Sequence, residues 1–306
     1  MFLDISGSGN WERIESLNKG WSGDQKFYIE SAGHEQFLLR LSSIYRLERR
    51  RNEYDLLNKC YCDNIVMPRP VDFGICNEGQ NVYTLLTWID GEDASGFLPQ
   101  LSEKEQYRLG YSAGQMLKLI HHDPAPSELS PWSGTYNRKI DQKIKAYKEC
   151  GIQLKHADKF IDYIDSNRYL LNKRPQSIQH GDYHCGNMVI SRDHKIGIID
   201  FDRLDYGDPW EEFNRMTWNA DASEAFASGQ INGYFEDQVP QTFFRLMALY
   251  IAVNQLSSLP WAIPFGQSQV HVMLDQTRKV LDAYDQYQSR IPKWYRAGKY
   301  YASIKR

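Results

Sequence analysis

The sequence lacks several features that would place it in a specialised protein class. Its five cysteines are odd in number and irregularly spaced, which argues against a disulfide framework and favours free thiols. A zinc site around Cys60 and Cys62 is disfavoured, because no second closely spaced pair of ligands lies near them. Charge of one sign is not in excess either, since the formal net charge is -3. The chain therefore has no overall field to attract nucleic acid, and we expect no nucleic-acid partner.

Neither an uninterrupted apolar run of membrane-spanning length nor the pattern of a secretory leader is visible in the sequence. The first residues, MFLDISGSGNWER, do not show the basic-then-apolar pattern of a secretory signal. The most apolar later stretch, residues 243–253, is too short to span a bilayer and contains Arg245. We therefore expect a cytoplasmic protein with no membrane partner. With 42% hydrophobic and 25% charged residues, the 306-residue chain has ordinary globular composition.

The predicted secondary structure changes near residue 89, from short extended segments to helices. The extended segments are predicted at residues 27–30, 36–41, 71–75 and 81–88, and one helix is predicted at residues 45–60. The later helices are predicted to follow a cap at Ser102 and to occupy residues 138–148, 157–171, 241–256 and 270–288. One hairpin, residues 188–191 with 196–199, interrupts them. This order predicts an α+β fold with a strand-rich lobe, residues 1–88, and a largely helical lobe, residues 89–306.

The most informative segment is residues 179–201, QHGDYHCGNMVISRDHKIGIIDF. It contains His180, Asp182 and Asn187 in the order H-x-D-x-x-x-x-N, and thirteen positions later Asp200 ends an apolar strand. Transfer of a phosphoryl group requires mainly positioning and charge neutralisation. A carboxylate that orients the acceptor hydroxyl and takes its proton is one requirement, and Asp182 fits it.

The same segment offers oxygen ligands of the kind that magnesium prefers. Asn187 supplies a neutral oxygen and Asp200 an anionic one, and the hairpin between them is expected to bring both to one ion. His184 lies two residues beyond Asp182, where a cationic or hydrogen-bond-donating group would reach the transferring phosphate. His180 is expected to brace the loop through hydrogen bonds.

HGDYHCGN followed by IIDF resembles the catalytic and metal-binding motifs of the aminoglycoside phosphotransferase superfamily, which is related to the protein kinases. The resemblance implies a protein-kinase-like two-lobed fold, ATP or GTP as co-substrate, Mg²⁺ and a small-molecule acceptor. It also implies that Asp182 is the catalytic base and that Asn187 and Asp200 hold magnesium. Gly181 and His184 favour the small-molecule branch over the protein kinases, which usually carry H-R-D-L-K-x-x-N.

The resemblance extends to the strand-rich lobe, where it implies nucleotide contacts. Gly20, Ser22 and Gly23 would form the glycine-rich loop over the phosphates. Arg40 replaces the expected strand lysine and retains its charge. Its partner would be a helix glutamate, with Glu53 the better candidate and Glu48 the rival. The segment TLLTWID resembles the hinge that contacts the base, with Thr87, Trp88 and Ile89 as the contact residues.

Carboxylates that follow Asp200 suggest how an acceptor would be bound. In FDRLDYGDPWEEF, Asp202, Glu211 and Glu212 are expected to face the acceptor, where they would attract a polycation such as an aminoglycoside. Asp208 is more typical of a structural turn that caps the next helix. The sequence alone leaves the structural interpretation equally open for Asp202 and the two glutamates, as the cap and first turn of a structural helix.

Three function classes compete on this evidence. The leading interpretation is a kinase of a small molecule, with an antibiotic of the aminoglycoside type first and a choline, sugar or amino-alcohol second. A nucleotide-binding pseudokinase that serves as an interaction module is disfavoured, because Asp182, Asn187 and Asp200 are all present. A protein kinase is disfavoured by the missing arginine before Asp182 and by the lack of an activation segment ending in A-P-E.

Overall fold

The computed structural model of the chain describes residues 2, 4–17 and 23–296. Its strand-rich part is a five-stranded antiparallel sheet in the order β1-β2-β3-β5-β4. The strands are β1 (Trp11–Leu17), β2 (Gln25–Ser31), β3 (Gln36–Ser43), β4 (Pro70–Cys76) and β5 (Asn81–Thr87). Helix α1 (Leu47–Cys60) connects β3 to β4. Buried Ile29, Leu39 and Leu85 form the centre of this lobe's own small core.

The remaining residues form a helical lobe with two short sheets. Its helices are α2 (Ala94–Phe97), α3 (Glu103–Ile120), α4 (Trp132–Glu149), α5 (Ala157–Asn167), α6 (Met216–Ala222), α7 (Glu224–Phe235), α8 (Gln241–Ala262) and α9 (Gln267–Ala283). Its strands are β6 (Glu92–Asp93), β7 (Ser177–Gln179), β8 (Met188–Ile190), β9 (Ile196–Ile198) and β10 (Asp205–Gly207). The predicted α+β two-lobed architecture is therefore confirmed. β5 ends at Thr87, one residue before the predicted boundary between the lobes.

The predicted elements are confirmed with shifts of a few residues at their ends. Ser102 caps α3 in a capping box with Glu105, as the sequence predicts. The predicted helix at residues 157–171 becomes α5 followed by a 3₁₀ turn, Arg168–Leu171. Strand β1 and helix α7 are present although the sequence did not predict them.

Helices α3 and α7 pack unusually closely, because each has two glycines four residues apart at the contact. A Cβ atom built on Gly110 of α3 would lie 2.1 Å from the carbonyl oxygen of Phe226. One built on Gly229 of α7 would lie 2.3 Å from the carbonyl oxygen of Tyr107. The two backbones therefore touch directly, and any larger side chain at these positions would separate the helices.

Within the described residues, one helical stretch, Gln241–Phe265, is long and apolar enough to span a membrane by length and composition. It includes α8, and 67% of its apolar window is buried inside the fold. Buried side chains of α8 include Phe243, Met247 and Leu256. The apolar character of this helix is therefore used to form the core of the helical lobe.

Two antiparallel hairpins determine the positions of the residues of interest. In the β2–β3 hairpin, Lys26 lies opposite Arg40. In the β8–β9 hairpin, Met188 pairs with Ile198, and the N–H of Ile199 donates to the carbonyl of Asn187 at 3.0 Å. This register brings Asn187, which precedes β8, next to the end of β9, where Asp200 follows.

Candidate active site

A loop between β7 and β8, residues 180–187, contains the predicted catalytic residues, and we call it the catalytic loop. His180 is completely buried in it. Its Nε2 donates to the carbonyl of Ile199 at 3.0 Å, and its Nδ1 accepts from the backbone N–H of Asp182 at 3.3 Å. These two bonds assign the proton to Nε2. His180 therefore connects the catalytic loop to the strand end that precedes Asp200, and it acts by positioning.

Glu212 holds the catalytic loop through backbone hydrogen bonds, and its predicted role in acceptor binding is therefore wrong. Its carboxylate accepts the N–H of His180 at 2.6 Å and that of Gly181 at 2.9 Å. The residue is only 2% exposed. Gly181 has a φ of 82°, and a Cβ there would lie 2.3 Å from the carbonyl of Arg203. A tight turn that only glycine fits, capped by a buried carboxylate, thus presents Asp182.

Asp182 lies among cations, and one of its oxygens has no hydrogen-bond partner among the described residues. Nε of Arg215 is 3.1 Å from Oδ1, and Nη1 of Arg203 is 3.5 Å from Oδ2. The Arg215 N–H is not aligned with Oδ1, so this buried oxygen forms no hydrogen bond with any described residue. Burial raises the pKa of Asp182, but the charges of Arg215, His184 and Arg203 outweigh it and the net pKa is lowered. Asp182 is therefore an ionised carboxylate with an oxygen that can accept a proton.

His184 is neutral, which removes the cationic alternative for this residue. Burial lowers its pKa to about 4 despite the opposing charge of Asp182. Its Nδ1 accepts from the N–H of Gly186 at 3.1 Å, so the proton is on Nε2. That Nε2 lies 3.6 Å from Oδ1 of Asp182. His184 can therefore act as a neutral donor beside the carboxylate.

Asn187 and Asp200 fit a magnesium ion by their chemistry. The side-chain amide of Asn187 donates to the carbonyl of Asp182 at 2.9 Å, which leaves its oxygen as the free ligand atom. Asp200 has a left-handed backbone, with φ of 66°, which is uncommon for a residue other than glycine. Among the described residues no group of three or more His, Cys, Asp or Glu side chains could hold a metal. A two-ligand site is the arrangement that suits magnesium, which keeps several waters and uses substrate phosphates.

Two cations from the strand-rich lobe reach the loop after β9, and one of them, Lys26, was missed from the sequence. Lys26 Nζ lies 3.3 Å from Oδ1 of Asp200 and 3.7 Å from Oδ2 of Asp202. Arg40 makes an ion pair with Asp202. The prediction that Asp202 faces the acceptor is therefore wrong, because its carboxylate is paired on the nucleotide side. Burial lowers the pKa of both Lys26 and Arg40, and the charge of Asp200 partly opposes this effect.

The predicted ion pair between Arg40 and a glutamate of α1 is replaced by a series of ion pairs. Arg40 Nε donates to Asp24 at 2.8 Å, and Asp24 also pairs with Arg50 of α1. Arg50 in turn pairs with Glu53, which also accepts from Arg49 at 2.9 Å. In the described structure Glu53 therefore contacts Arg40 only through two intermediate residues. Glu48 is exposed on α1 and takes no part in these ion pairs.

The predicted hinge and glycine-rich loop are only partly described. Thr87 donates its N–H to the carbonyl of Arg69, and Trp88 donates to the carbonyl of Gln36, both at 2.9 Å. A nucleotide base at this hinge would therefore use other backbone groups of the segment. Ile89 packs against β9, since a Cβ on Gly197 would lie 2.9 Å from its Cγ2. Gly20 and Ser22 lie outside the described residues, and Gly23 is an exposed bend.

The other carboxylates after β10 are structural. Asp208 is fully buried and accepts two bonds from Arg174, at 2.7 and 2.8 Å, and one from the Tyr250 hydroxyl. Glu211 is buried too, with Lys139 Nζ 3.3 Å from its Oε1. Its predicted place on the acceptor surface is wrong, because helix α4 and β7 cover it through Lys139 and Gln179. The interpretation that the sequence left open, a structural turn, is the one the structure supports.

A strand-rich lobe over a helical lobe, with the catalytic loop and Asp200 meeting at their junction, defines a phosphotransferase of the protein-kinase-like fold. Residues 13–247 match the model of the phosphotransferase enzyme family (APH), and the chain belongs to this family. It is thus an enzyme of the small-molecule kinase type. No curated protein sequence matches the chain significantly.

Solved structures of aminoglycoside phosphotransferases share this fold. A thermostable mutant of APH(4)-Ia in its apo form has a TM-score of 0.64 at 15% identity, covering 90% of this chain and 96% of its own. The GDP complex of aminoglycoside 2'-phosphotransferase-IIIa has a TM-score of 0.66 at 16% identity, covering 92% and 96%. ADP-bound APH(2'')-Ib has a TM-score of 0.63 at 17% identity, covering 91% and 96%. At such identities the likeness establishes the fold and leaves the acceptor to be argued from the site.

Proposed function

We propose that the protein transfers the γ-phosphate of ATP or GTP to a hydroxyl group of a small molecule, with Asp182 as the base. The observation that carries this proposal is the half-buried, ionised Asp182 carboxylate, whose Oδ1 forms no hydrogen bond with the described residues. A bond forms between the acceptor oxygen and the γ-phosphorus, while the bond from that phosphorus to the β–γ bridging oxygen breaks. The hydroxyl proton goes to Asp182, and the nucleoside diphosphate leaves.

Other residues would bind the nucleotide phosphates and the metal. Asn187 and Asp200 would hold Mg²⁺, which neutralises phosphate charge when it is bound. Lys26 and Arg40, which lie opposite each other on β2 and β3, would engage phosphate oxygens from the other side. Neutral His184 would donate a hydrogen bond to the transferring group.

The acceptor expected from the sequence, an aminoglycoside, finds less support. That expectation relied on Asp202, Glu211 and Glu212, whose carboxylates are paired with protein groups. A metabolic small-molecule kinase is therefore the better-supported member of this class.

Transfer of labelled phosphate tests the proposal. ATP or GTP labelled at the γ-position is incubated with magnesium and a panel of sugars, hydroxy acids, amino-alcohols and antibiotics. We expect label transfer by the wild type and by Asp193→Asn, which removes an exposed carboxylate of the same hairpin. Asp200→Asn should lower transfer by about a hundredfold or more, because it removes the anionic metal ligand. Nucleotide binding without transfer to any acceptor would instead indicate an interaction module.

A further inference from the structure

The surroundings of Asp182 are strongly cationic. Arg203 and Arg215 both approach its carboxylate, at 3.5 and 3.1 Å. Their side chains are 46% and 27% exposed, so both remain accessible to solvent while they contact the carboxylate. Both guanidinium groups can therefore meet a small molecule that brings its hydroxyl to Asp182.

Helix α4 extends this positive surface with Lys139 and Lys143. Lys139 is 46% exposed and pairs with Glu211. Lys143 is half-buried and has no carboxylate within ion-pair distance among the described residues. Burial and the positive charges of Lys139 and Arg215 together lower its pKa to about 8, although the charge of Glu211 partly opposes them. Glu211, which pairs with Lys139, and Arg215, which pairs with Asp182, lie in one 3₁₀ turn, Glu211–Arg215, and this turn joins the four basic residues into one cation cluster.

The cation cluster (Lys139, Lys143, Arg203 and Arg215) is not balanced by the carboxylates in contact with it. Among the described residues, the carboxylates that act on these four basic side chains are Asp182 and Glu211. Glu211 is buried beneath Lys139, and Asp182 must remain available to an acceptor hydroxyl. The local excess of positive charge contrasts with the net charge of -3 of the whole chain. A half-buried lysine that makes no direct ion pair is costly, and such groups are typical of ligand sites.

We propose that the acceptor is a small anion, a molecule that carries a phosphate or carboxylate group in addition to the hydroxyl that is phosphorylated. This inference rests on the proposed function, since it assigns the acceptor class of the same site. The anionic group pairs with Lys143 and Lys139 on α4, and the hydroxyl lies against Asp182. The transfer itself is unchanged: the acceptor oxygen bonds to the γ-phosphorus, the bridging bond breaks and the proton goes to Asp182. A polycation is repelled by the same four groups.

A set of acceptors with one carbon skeleton tests the charge requirement. Glucose, glucosamine, glucuronate and glucose 6-phosphate present similar hydroxyls with neutral, positive, carboxylate and phosphate substituents. We expect kcat/KM to be highest for one of the two anions and to fall as KCl is raised. Comparison of the two anions distinguishes a carboxylate from a phosphate requirement. Preference for glucosamine or for an aminoglycoside, with kcat/KM insensitive to salt, would overturn the inference while leaving phosphotransfer intact.

Inorganic phosphate provides a binding test that does not depend on the shape of the acceptor. Titration calorimetry is performed on the full chain loaded with magnesium and a non-hydrolysable ATP analogue, so that the nucleotide site is filled. We expect binding by the wild type and a Kd raised roughly tenfold in Lys139→Gln/Lys143→Gln. Lys145→Gln is the matched control, because it removes a charge from the same helix at a side chain that is 75% exposed and paired with Glu149.

The binding outcomes are separable from failure of the proposed function. No phosphate binding, or equal Kd values in the wild type and the double variant, would overturn the anionic acceptor. An equal loss of phosphate affinity in Lys145→Gln would show a general charge effect and would also overturn the anionic acceptor. Absence of phosphoryl transfer to every compound, in a protein that still binds nucleotide, would instead contradict the kinase assignment itself.

Discussion

Glu212→Gln separates the two roles that have been considered for this carboxylate. Glu212 accepts the backbone N–H groups of His180 and Gly181, at 2.6 and 2.9 Å, from a position that is 2% exposed. A glutamine oxygen at the Oε2 position can still accept both N–H groups without the charge, but the amide nitrogen replaces Oε1 and places its N–H against that of Gly181. A buried donor without an acceptor costs about 1–3 kcal/mol, and a bond to a charged group contributes about 1.5–3 kcal/mol. We therefore expect a loss of about 2–4 kcal/mol in the free energy of unfolding, because one charge-assisted bond weakens and one is lost.

Denaturant unfolding and steady-state kinetics measure both consequences. The kcat of Glu212→Gln should fall by about tenfold or more, since the catalytic loop that presents Asp182 is misplaced, while the acceptor KM changes little. Glu149→Gln serves as the control, because its side chain is 65% exposed and its pair with Lys145 is long, at 3.9 Å. A Glu212→Gln protein of unchanged stability with a raised acceptor KM would refute the loop-support role and restore the substrate-binding one.

Three further predictions concern the loop, the nucleotide and the acceptor. Gly181→Ala should lower kcat by about tenfold or more with nucleotide Kd unchanged, because its Cβ would lie 2.3 Å from the Arg203 carbonyl at a φ of 82°; wild-type kcat would contradict the tight turn. Lys26→Met should weaken nucleotide binding in calorimetry by about tenfold, as expected for a lost phosphate contact, whereas exposed Lys195→Met should not. With an anionic acceptor, KM should rise as pH increases through about 8, because Lys143 is charged below that pKa and neutral above it. If the KM of Lys143→Gln still rises in the same way with pH, the rise is due to another titrating group.

The parts of the site that could be predicted from the sequence are those encoded locally. His180, Asp182 and Asn187 lie within eight residues of one another, and the hairpin that follows has a short turn that leaves few alternatives for the position of Asp200. The two-lobed architecture was also predictable, because strand and helix patterns are separated along the chain.

The residues that were missed are those placed by tertiary packing. Lys26 could have been found, since the short turn of the β2–β3 hairpin puts it opposite Arg40. Arg215 carries no such signal, because a 3₁₀ turn distant in sequence brings it to Asp182. The burial of Glu212 was equally invisible, as charged residues are seldom buried unless they are paired.

Helix α7 could not be predicted from the sequence for a different reason. Ten of its residues, from Ala225 to Tyr234, are buried, so its polar and apolar side chains show no helical periodicity. Amphipathic pattern, the main signal for a helix, disappears when both sides of the helix face the core. The glycine pairs in α3 and α7 were visible in the sequence, but their meaning depends on the helices being neighbours.

The central claim is that Asp182 takes the acceptor proton, and Asp182→Asn tests it most directly. The amide keeps the size of the side chain but cannot act as the base. With the best acceptor from the label-transfer panel, rapid-quench single turnover should show phosphoryl transfer slowed by about a hundredfold or more, with the nucleotide Kd nearly unchanged. Transfer at the wild-type rate in Asp182→Asn would contradict the account.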